Sequence, residues 1–258
     1  MRMPEFGTQE EIIMKVLAIG NSFAVDANRY LSQIARAAGE TIDVVTLYIG
    51  GCSLEKHYRN MLSEERAYQL YFNGQDTGFF VSLKEALLSR FWDVVTMQQA
   101  SGSSAKPSSY DPYAGAIAAY VRKCAPKAKL LVHQTWAYEK DSDKLHNVAG
   151  YDTPEAMFTD IEKAYQNMSR TIDAAGIIPS GALFQHFLGQ GVEKMHRDTF
   201  HATKGFARYA LALLWFRMLT GKSVMENTFC DFDEPVSDGE VQMAKEYVES
   251  LAPLAPLA

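Results

Sequence analysis

The sequence predicts a three-layer α/β/α domain around a mostly parallel sheet of five strands. Short apolar runs rich in Val, Leu and Ile alternate along the chain with longer amphipathic segments, which is the pattern of repeated βαβ units. The apolar runs do not alternate strictly with polar residues, as expected of strands that helices cover on both faces. The predicted strands span residues 14–19, 42–48, 93–98, 129–134 and 177–184.

Helices between these strands are predicted from apolar residues at helical spacing and from capping signals. Gly39 is placed as a C-terminal cap, Ser82 and Glu85 form a capping box, and Thr153 followed by Pro154 marks a helix start. The predicted helices span residues 26–38, 54–70, 83–91, 113–124, 154–175, 204–219 and 238–251.

The pattern predicts a single domain. Residues 14–251 carry the alternation without a linker, whereas residues 1–13 indicate a leader or disordered arm and residues 252–258 a tail. A chain of 258 residues is long enough to bury a substantial core. The first residues lack the apolar core of a signal peptide, so we expect a cytoplasmic protein, or a secreted or periplasmic one if a natural signal was removed.

Composition argues against several classes of partner. The formal net charge is -6 and the Lys and Arg residues are scattered, whereas nucleic-acid binding needs a basic face. No stretch approaches the roughly 18 apolar residues of a membrane span. The three cysteines are far apart and form no C-x-x-C motif, so no disulfide framework or structural zinc site is expected. We therefore expect neither nucleic acid nor a membrane as a partner, and the oligomeric state stays open.

The segments that follow the predicted strands share a chemical character. In open parallel sheets, ligands bind outside the carboxyl ends of the strands, so these segments should surround one site. Each of them carries glycine, hydrogen-bonding side chains or charged groups. They are Gly20-Asn21-Ser22-Phe23, Gly50-Gly51-Cys52-Ser53, Gln98-Gln99-Ala100-Ser101, Thr135-Trp136-Ala137-Tyr138 and Arg197-Asp198-Thr199-Phe200-His201.

Ser22 is the candidate nucleophile among these residues. It lies in a tight turn between the first strand and the next helix, where its hydroxyl can project over the sheet edge. A serine hydroxyl needs a base, and the Asp198-x-x-His201 motif lets a carboxylate hold the imidazole Nδ1–H while Nε2 takes the serine proton. The alternatives are that Ser22 only caps a helix, and that Asp198 and His201 are an ordinary surface pair.

An acyl-transfer site also needs donors for the developing oxyanion. The backbone N–H groups of Ser22 and Gly51 are two candidates, and a side-chain amide from Gln98, with Gln99 as runner-up, is the third. Neighbouring residues of a strand point to opposite faces, so only one glutamine serves easily. The alternative interpretations are an ordinary glycine turn and a polar strand end.

Other residues at this edge are candidates for binding a substrate. Asn21 and Gly50 flank the nucleophile and the glycine turn, and His133 either lines the site or packs in the core. Trp136 and Tyr138 either form a wall for a sugar ring or an aromatic acyl group, or pack in the core.

A metal centre is the competing prediction for residues 196–201, the histidine loop. His196, Asp198 and His201 could hold a metal ion, but their spacing fits no common zinc motif. We therefore predict no metal site.

Taken together, these segments resemble the SGNH/GDSL hydrolase superfamily. The family's first block, Gly-Asp-Ser-x, is similar to residues 20–23, its second-block glycine matches Gly50 or Gly51, and its last block matches Asp198-x-x-His201. The resemblance runs in the right order over residues 16–219.

Two positions depart from the family pattern. Asn21 stands where the family has aspartate, which leaves the nucleophile intact. The third block, Gly-x-Asn-Asp, is replaced by residues 98–101, with the letters Gln-Gln-Ala-Ser. Related carbohydrate-esterase branches use a glutamine in this region, and this likeness is the reason to assign the oxyanion role to Gln98.

The resemblance implies a flavodoxin-like fold and a serine esterase that needs no cofactor. The expected reaction is hydrolysis of a short acyl ester through an acyl-enzyme, with removal of acetyl from a carbohydrate as the preferred example. The expected partner is thus a small-molecule or oligosaccharide ester. The alternatives are a feruloyl or general short-chain esterase, a non-catalytic glycan-binding module on the same fold, and a metal-dependent phosphoesterase.

Overall fold

A seven-stranded sheet forms the centre of the computed structural model, which describes residues 13–255. Most of the predicted arm and the last three residues of the predicted tail lie outside this range. The strand order is β4-β3-β2-β1-β5-β6-β7. The strands are β1 Ile13–Gly20, β2 Thr41–Tyr48, β3 Tyr68–Phe72, β4 Gln75–Val81, β5 Val94–Met97, β6 Lys129–His133 and β7 Gly176–Ile178.

Five of these strands form the predicted parallel sheet. β2, β1, β5, β6 and β7 pair in parallel, and the central β1 buries Val16, Leu17 and Ala18 completely. Helices flank the sheet, so the predicted α/β class is confirmed. The helices are α1 Ser22–Asn28, α2 Leu31–Ala37, α3 Leu54–Ser63, α4 Leu83–Leu88, α5 Tyr113–Cys124, α6 Pro154–Thr171, α7 Ser180–Gly189, α8 Phe206–Thr220 and α9 Asp238–Ser250.

The helices pack in groups around this sheet. α3, α4 and α5 contact one another, while α8 contacts α1, α2, α7 and α9. α8 is buried nearly all round, which explains its apolar sequence on every face. Among the helices of residues 13–255, none is long and apolar enough to cross a membrane.

Two strands at one edge of the sheet were not predicted. The expected helix at 54–70 ends at Ser63, because Glu64 takes the left-handed conformation with φ 54°. The chain then forms the antiparallel hairpin β3–β4. Asn73 and Gly74, both with positive φ, make its turn, and Asn-Gly between two strands is a strong hairpin signal in a sequence.

Two further boundaries differ from the prediction. The helix expected at 26–38 is divided into α1 and α2, and α1 begins at Ser22. The strand expected at 177–184 ends at Ile178, because Pro179 follows and α7 begins at Ser180. A short apolar run has no periodicity that distinguishes a strand from a buried helix.

Candidate active site

Ser22, His201 and Asp198 form a continuous chain of hydrogen bonds above the carboxyl end of β1. The Nε2 atom of His201 lies 2.9 Å from Ser22 Oγ, and Nδ1 lies 2.7 Å from Asp198 Oδ2. Asp198 Oδ1 also accepts the backbone N–H of His201 at 2.9 Å. The second bond fixes the carboxylate relative to the ring, so the imidazole has one favoured orientation.

The electrostatics of this chain suit a base at His201. Partial burial of the Asp198 carboxyl works to raise its pKa, but the hydrogen bonds from the side chain and backbone of His201 outweigh burial. The pKa of Asp198 is therefore below its usual value. An ionised carboxylate at this position holds the proton on Nδ1 and leaves Nε2 to accept from Ser22.

Asn21 fixes the turn that presents Ser22. Its Oδ1 accepts the N–H of Phe23 at 3.0 Å and so caps α1, and its Nδ2 donates to the carbonyl of Cys52 at 3.3 Å. The side chain is 2% exposed. Asn21 thus joins the nucleophile turn to the neighbouring glycine turn, and this joining needs both an acceptor and a donor.

The glycine turn after β2 lies beside Ser22 in the same cleft. Gly51 has φ +59°, and a Cβ built there meets nothing within 4 Å, so its need for glycine is conformational. Gly50 lines the same cleft. Since Ser22 is the first residue of α1, its N–H has no acceptor within that helix and is free to face a ligand.

The oxyanion role predicted for Gln98 is wrong. The side chain is 1% exposed and lies below the nucleophile turn, where its Nε2 donates to Asn21 Oδ1 at 2.8 Å. Its Oε1 pairs with His133 Nδ1 at 2.7 Å, and His133 Nε2 pairs with Ser180 Oγ at 3.1 Å. Gln98 therefore supports Asn21 from inside the protein and does not line the cleft.

Gln99 does not take over that role. Its Oε1 accepts the N–H groups of Leu54 and Ala100, and its Nε2 donates to the carbonyl and hydroxyl oxygens of Ser109. Gln99 is 1% exposed and ties three segments together. The runner-up prediction is therefore also wrong, because this amide is fully engaged in structural bonds.

His133 and Trp136, predicted to bind substrate, are core residues. His133 is fully buried, and burial lowers the pKa of His133 to about 3, so the ring is neutral. Trp136 is also fully buried and stacks on Phe23 and Phe184, with centroids 4.0 and 4.4 Å apart. Its Nε1 donates to the carbonyl of Phe200 at 2.8 Å, so Trp136 supports the histidine loop from below.

Tyr138 is 2% exposed but borders the cleft, and its role in binding substrate stays a prediction. Its hydroxyl donates to Ser101 Oγ at 2.8 Å, which connects two loops that border the cleft. Its ring meets Phe200 edge to face at 6.0 Å, and the Phe200 ring lies 3.9 Å from that of His201. Asn21 also lines the cleft.

The cleft beside Ser22 has a volume of about 560 Å³. A second cavity, of about 640 Å³, is lined by residues between positions 227 and 245. None of the predicted site residues lines it. The cleft beside Ser22 is also lined by residues for which no individual role was predicted. These are Tyr48, Ser53, Ala100, Ser101, Gly102, Ser103, Lys106, Lys144, Val148 and Phe200.

Asp26 is the main residue of the site that the sequence did not reveal. It lies one turn after Ser22 on α1 and is 1% exposed. Both carboxylate oxygens accept from Arg197 at 3.0 Å, Oδ2 accepts the N–H of Ala202 at 3.1 Å, and Oδ1 accepts from Arg208 at 2.9 Å. Asp26 therefore holds the histidine loop on both sides of Asp198 and His201.

The competing metal site is not formed. His196 is fully buried, its Nε2 pairs with the carbonyl of Ala137 at 3.0 Å, and its Nδ1 lies 3.4 Å from Glu139 Oε1. Within residues 13–255, no group of three His, Cys, Asp or Glu side chains is arranged to hold a metal ion.

Cys52, the cysteine in the glycine turn, is a structural residue. Its thiol is buried and lies 3.5 Å from His57 Nδ1. Burial raises the pKa of Cys52 to about 12, so the thiol is not a nucleophile near neutral pH.

The fold is SGNH-like and is similar to that of solved hydrolases. The acetylxylan esterase Axe2 from Geobacillus stearothermophilus superposes with a TM-score of 0.50 at 13% identity, covering 84% of this chain and 95% of that chain. LAE5, an alpha/beta hydrolase enzyme from the metagenome of Lake Arreo in Spain, gives 0.52 at 11% identity, covering 78% and 93%. At such identities the likeness establishes the fold alone.

The family of this chain follows from a match of its sequence to a family model. Residues 15–250 match the model described as Domain of unknown function (DUF4886), and the chain belongs to this family. A DUF4886 family protein from Bacteroides uniformis ATCC 8492 is 31% identical, with a TM-score of 0.83, covering 92% of this chain and 94% of that chain. No curated protein was found to match the sequence. The chain is thus a member of this family with an SGNH-like fold.

Proposed function

We propose that this protein is a serine esterase that removes short acyl groups, and acetyl in particular, from carbohydrate esters. One observation carries the proposal: the hydrogen-bonded chain of Ser22, His201 and Asp198 opens onto a cleft of about 560 Å³. Nucleophile, base and orienting acid are all within hydrogen-bond distance, which is the geometry that serine activation requires.

In the acylation step, Ser22 Oγ attacks the ester carbonyl as its proton moves to His201 Nε2. Asp198 holds the Nδ1 proton and stabilises the imidazolium that forms. The tetrahedral intermediate then collapses, and the bond to the leaving alcohol breaks as His201 returns the proton to the alkoxide oxygen. The acyl group stays on Ser22 as an ester.

Deacylation repeats these steps with water as the nucleophile. His201 takes a proton from the water, the hydroxide attacks the acyl carbonyl, and the proton returns to Ser22 Oγ as the carboxylic acid leaves. In both steps the negative oxygen is placed against the backbone N–H groups of Ser22 and Gly51, which border the cleft.

The lining of the cleft favours a small acyl group on a larger polar alcohol. Gly50, Gly51 and Ala100 border the nucleophile, while the half-buried Phe200 adds aromatic surface of the kind that sugar rings pack against. The fold neighbour Axe2 is named as an acetylxylan esterase, which supports the same class of substrate for this chain.

The test is hydrolysis of p-nitrophenyl acetate, acetylated oligosaccharides and feruloylated oligosaccharides. We expect the wild type to release acetate, and Ser22→Ala and His201→Ala to lose about 10⁴-fold or more in kcat. Ser103→Ala is the matched control, because this serine lines the same cleft but is outside the triad. Equal rates for wild type and Ser22→Ala on every ester would refute the proposal. Binding of oligosaccharide without turnover would favour the non-catalytic module.

A further inference from the structure

The fully charged side chains that line the catalytic cleft are both positive, although the chain as a whole is negative. Besides His201, the cleft is lined by the ammonium groups of Lys106 and Lys144, and no carboxylate lines it among the residues that the structure describes. The whole chain carries a formal charge of -6, so its overall field repels anions. The positive charge in the cleft is therefore a local feature of the site.

Lys144 is held close to the catalytic base. Its Nζ lies 4.4 Å from the centroid of the Phe200 ring, and this ring lies 3.9 Å from that of His201. A cation over an aromatic face gains attraction but keeps its full charge and its hydrogen-bond donors. Lys144 forms no ion pair with any carboxylate of residues 13–255.

Lys106 lies on the other loop that borders the cleft. Its Nζ donates to the carbonyl of Val148 at 3.0 Å, which joins the loop of Lys106 to that of Lys144. One bond leaves two of the three ammonium donors available. Within the described part of the chain, Lys106 has no carboxylate partner at ion-pair distance either. Both cationic groups are thus fixed by neutral partners and keep their charge for a ligand.

We infer that the alcohol part of the substrate carries an anionic group, as in an acetylated acidic saccharide. The inference rests on the proposed esterase function and names the substrate class of the same site. Ser22 would attack the acetyl carbonyl while a carboxylate or sulfate of the sugar lies between Lys106 and Lys144. Lysine is a point charge with rotatable donors, so the pair suits an anion without a fixed orientation.

The test compares esters that differ only in charge. The substrates are methyl 3-O-acetyl-galactoside, the corresponding galacturonoside with a carboxylate at C6, and the corresponding 6-sulfate. We expect kcat/KM of the wild type to be about tenfold higher for an anionic ester than for the neutral one, and this ratio to fall towards one in 0.5 M NaCl. An advantage for either anion supports the inference, and the two arms show which anion is preferred.

Variants show whether the preference for anionic esters comes from the two cleft lysines or from the charge of the protein in general. The double variant Lys106→Gln and Lys144→Gln should lower the anionic-to-neutral ratio to about one. Lys127→Gln is the matched control, because Lys127 also lies over an aromatic ring, that of Phe91, at 5.9 Å, but outside the cleft. A ratio near one in the wild type, or a ratio unchanged in the double variant, would overturn the inference while leaving the esterase proposal in place. Hydrolysis of none of the three esters or of p-nitrophenyl acetate would overturn both.

Discussion

The carboxylate of Asp26 accepts the backbone N–H of Ala202, the residue that directly follows His201, at 3.1 Å. Asp26 is on the helix that Ser22 begins, so this bond joins that helix to the loop of His201. Arg197, which directly precedes Asp198, donates to the same carboxylate. The distance between Ser22 Oγ and His201 Nε2 is therefore set by a buried charged contact below the cleft.

Asp26→Asn is expected to disturb this arrangement. It removes the charge that Arg197 and Arg208 face, which should lower the free energy of unfolding by about 3 kcal/mol. Because a small misplacement of His201 slows proton transfer, kcat should fall by about 10²-fold with little change in KM. The measurement is steady-state kinetics on p-nitrophenyl acetate at a temperature where circular dichroism shows the variant folded.

Asp233→Asn is the matched control for this prediction. Asp233 pairs with Arg29 and Arg208, as Asp26 pairs with Arg208, but makes no contact with the histidine loop. We expect a loss of roughly 1 kcal/mol in stability and a kcat within twofold of wild type. Equal losses of kcat in the two variants would contradict a positioning role for Asp26.

Asn21→Asp tests why asparagine precedes the nucleophile. Aspartate keeps the acceptor for the Phe23 N–H but loses the donor to the Cys52 carbonyl, and it places a buried charge 3.3 Å from that oxygen. We expect a loss of about 2 kcal/mol or more in unfolding free energy and a lower kcat. Asn28→Asp, buried on the same helix, should destabilise without a comparable fall in kcat. An Asn21→Asp variant as active as wild type would show that the bond to Cys52 is dispensable.

Gly50 and Gly51, the glycine turn after β2, give a prediction in which the variant of Gly50 is the control for that of Gly51. Gly51→Ala adds no clash, but φ +59° costs an alanine about 1–2 kcal/mol, and relaxation would move the N–H away from the oxyanion. Gly50 has no such φ, and its added Cβ would lie 3.4 Å from the Tyr48 hydroxyl, an ordinary contact. We expect kcat to fall roughly tenfold or more for Gly51→Ala and little for Gly50→Ala. The reverse order of the two kcat values would exclude the Gly51 N–H as a donor.

Most of the site's outline follows from the sequence, because strand ends in a parallel sheet meet at one edge. Ser22 and Gly51 directly follow β1 and β2 at that edge, whereas Asp198 and His201 lie between α7 and α8 and were indicated by their Asp-x-x-His spacing. The α/β class follows for the same reason, from repeated apolar runs separated by amphipathic helices.

What the sequence could not show is which polar residues face inward. Gln98 lies at the expected strand end but is engaged by Asn21 and His133, and no local pattern encodes such partners. Asp26 resembles any helical carboxylate until Arg197, 171 residues away, is brought to it by the fold. The β3–β4 hairpin, in contrast, has a local signal in the sequence, which is Asn73-Gly74. It was missed because the helix predicted from the amphipathic pattern of α3 was continued beyond Ser63.

Two buried histidines predict how stability depends on pH. Burial lowers the pKa of His133 and of His57 to about 3, whereas an unfolded histidine titrates near 6.5. Between these values the unfolded chain binds more protons, so the free energy of unfolding decreases as pH falls below about 6.5. Each histidine contributes a slope of about 1.4 kcal/mol per pH unit in the lower part of this window.

Urea denaturation between pH 7 and pH 4.5 measures this slope. His57→Gln removes one titrating group and should reduce the slope by about 1.4 kcal/mol per pH unit in the lower part of this window, whatever its effect on absolute stability. An unfolding free energy that is flat over this pH range would contradict the burial of neutral histidines.

Both steps of the proposed reaction require Ser22 to act as the nucleophile, and covalent labelling tests this directly. The protein is treated with an alkyl fluorophosphonate, and the modified residue is located by peptide mass spectrometry. We predict one adduct, on Ser22, that forms at a much lower rate in the folded His201→Ala variant because the base is missing. An adduct on a different serine, or no adduct on a folded protein that still hydrolyses p-nitrophenyl acetate, would contradict the account.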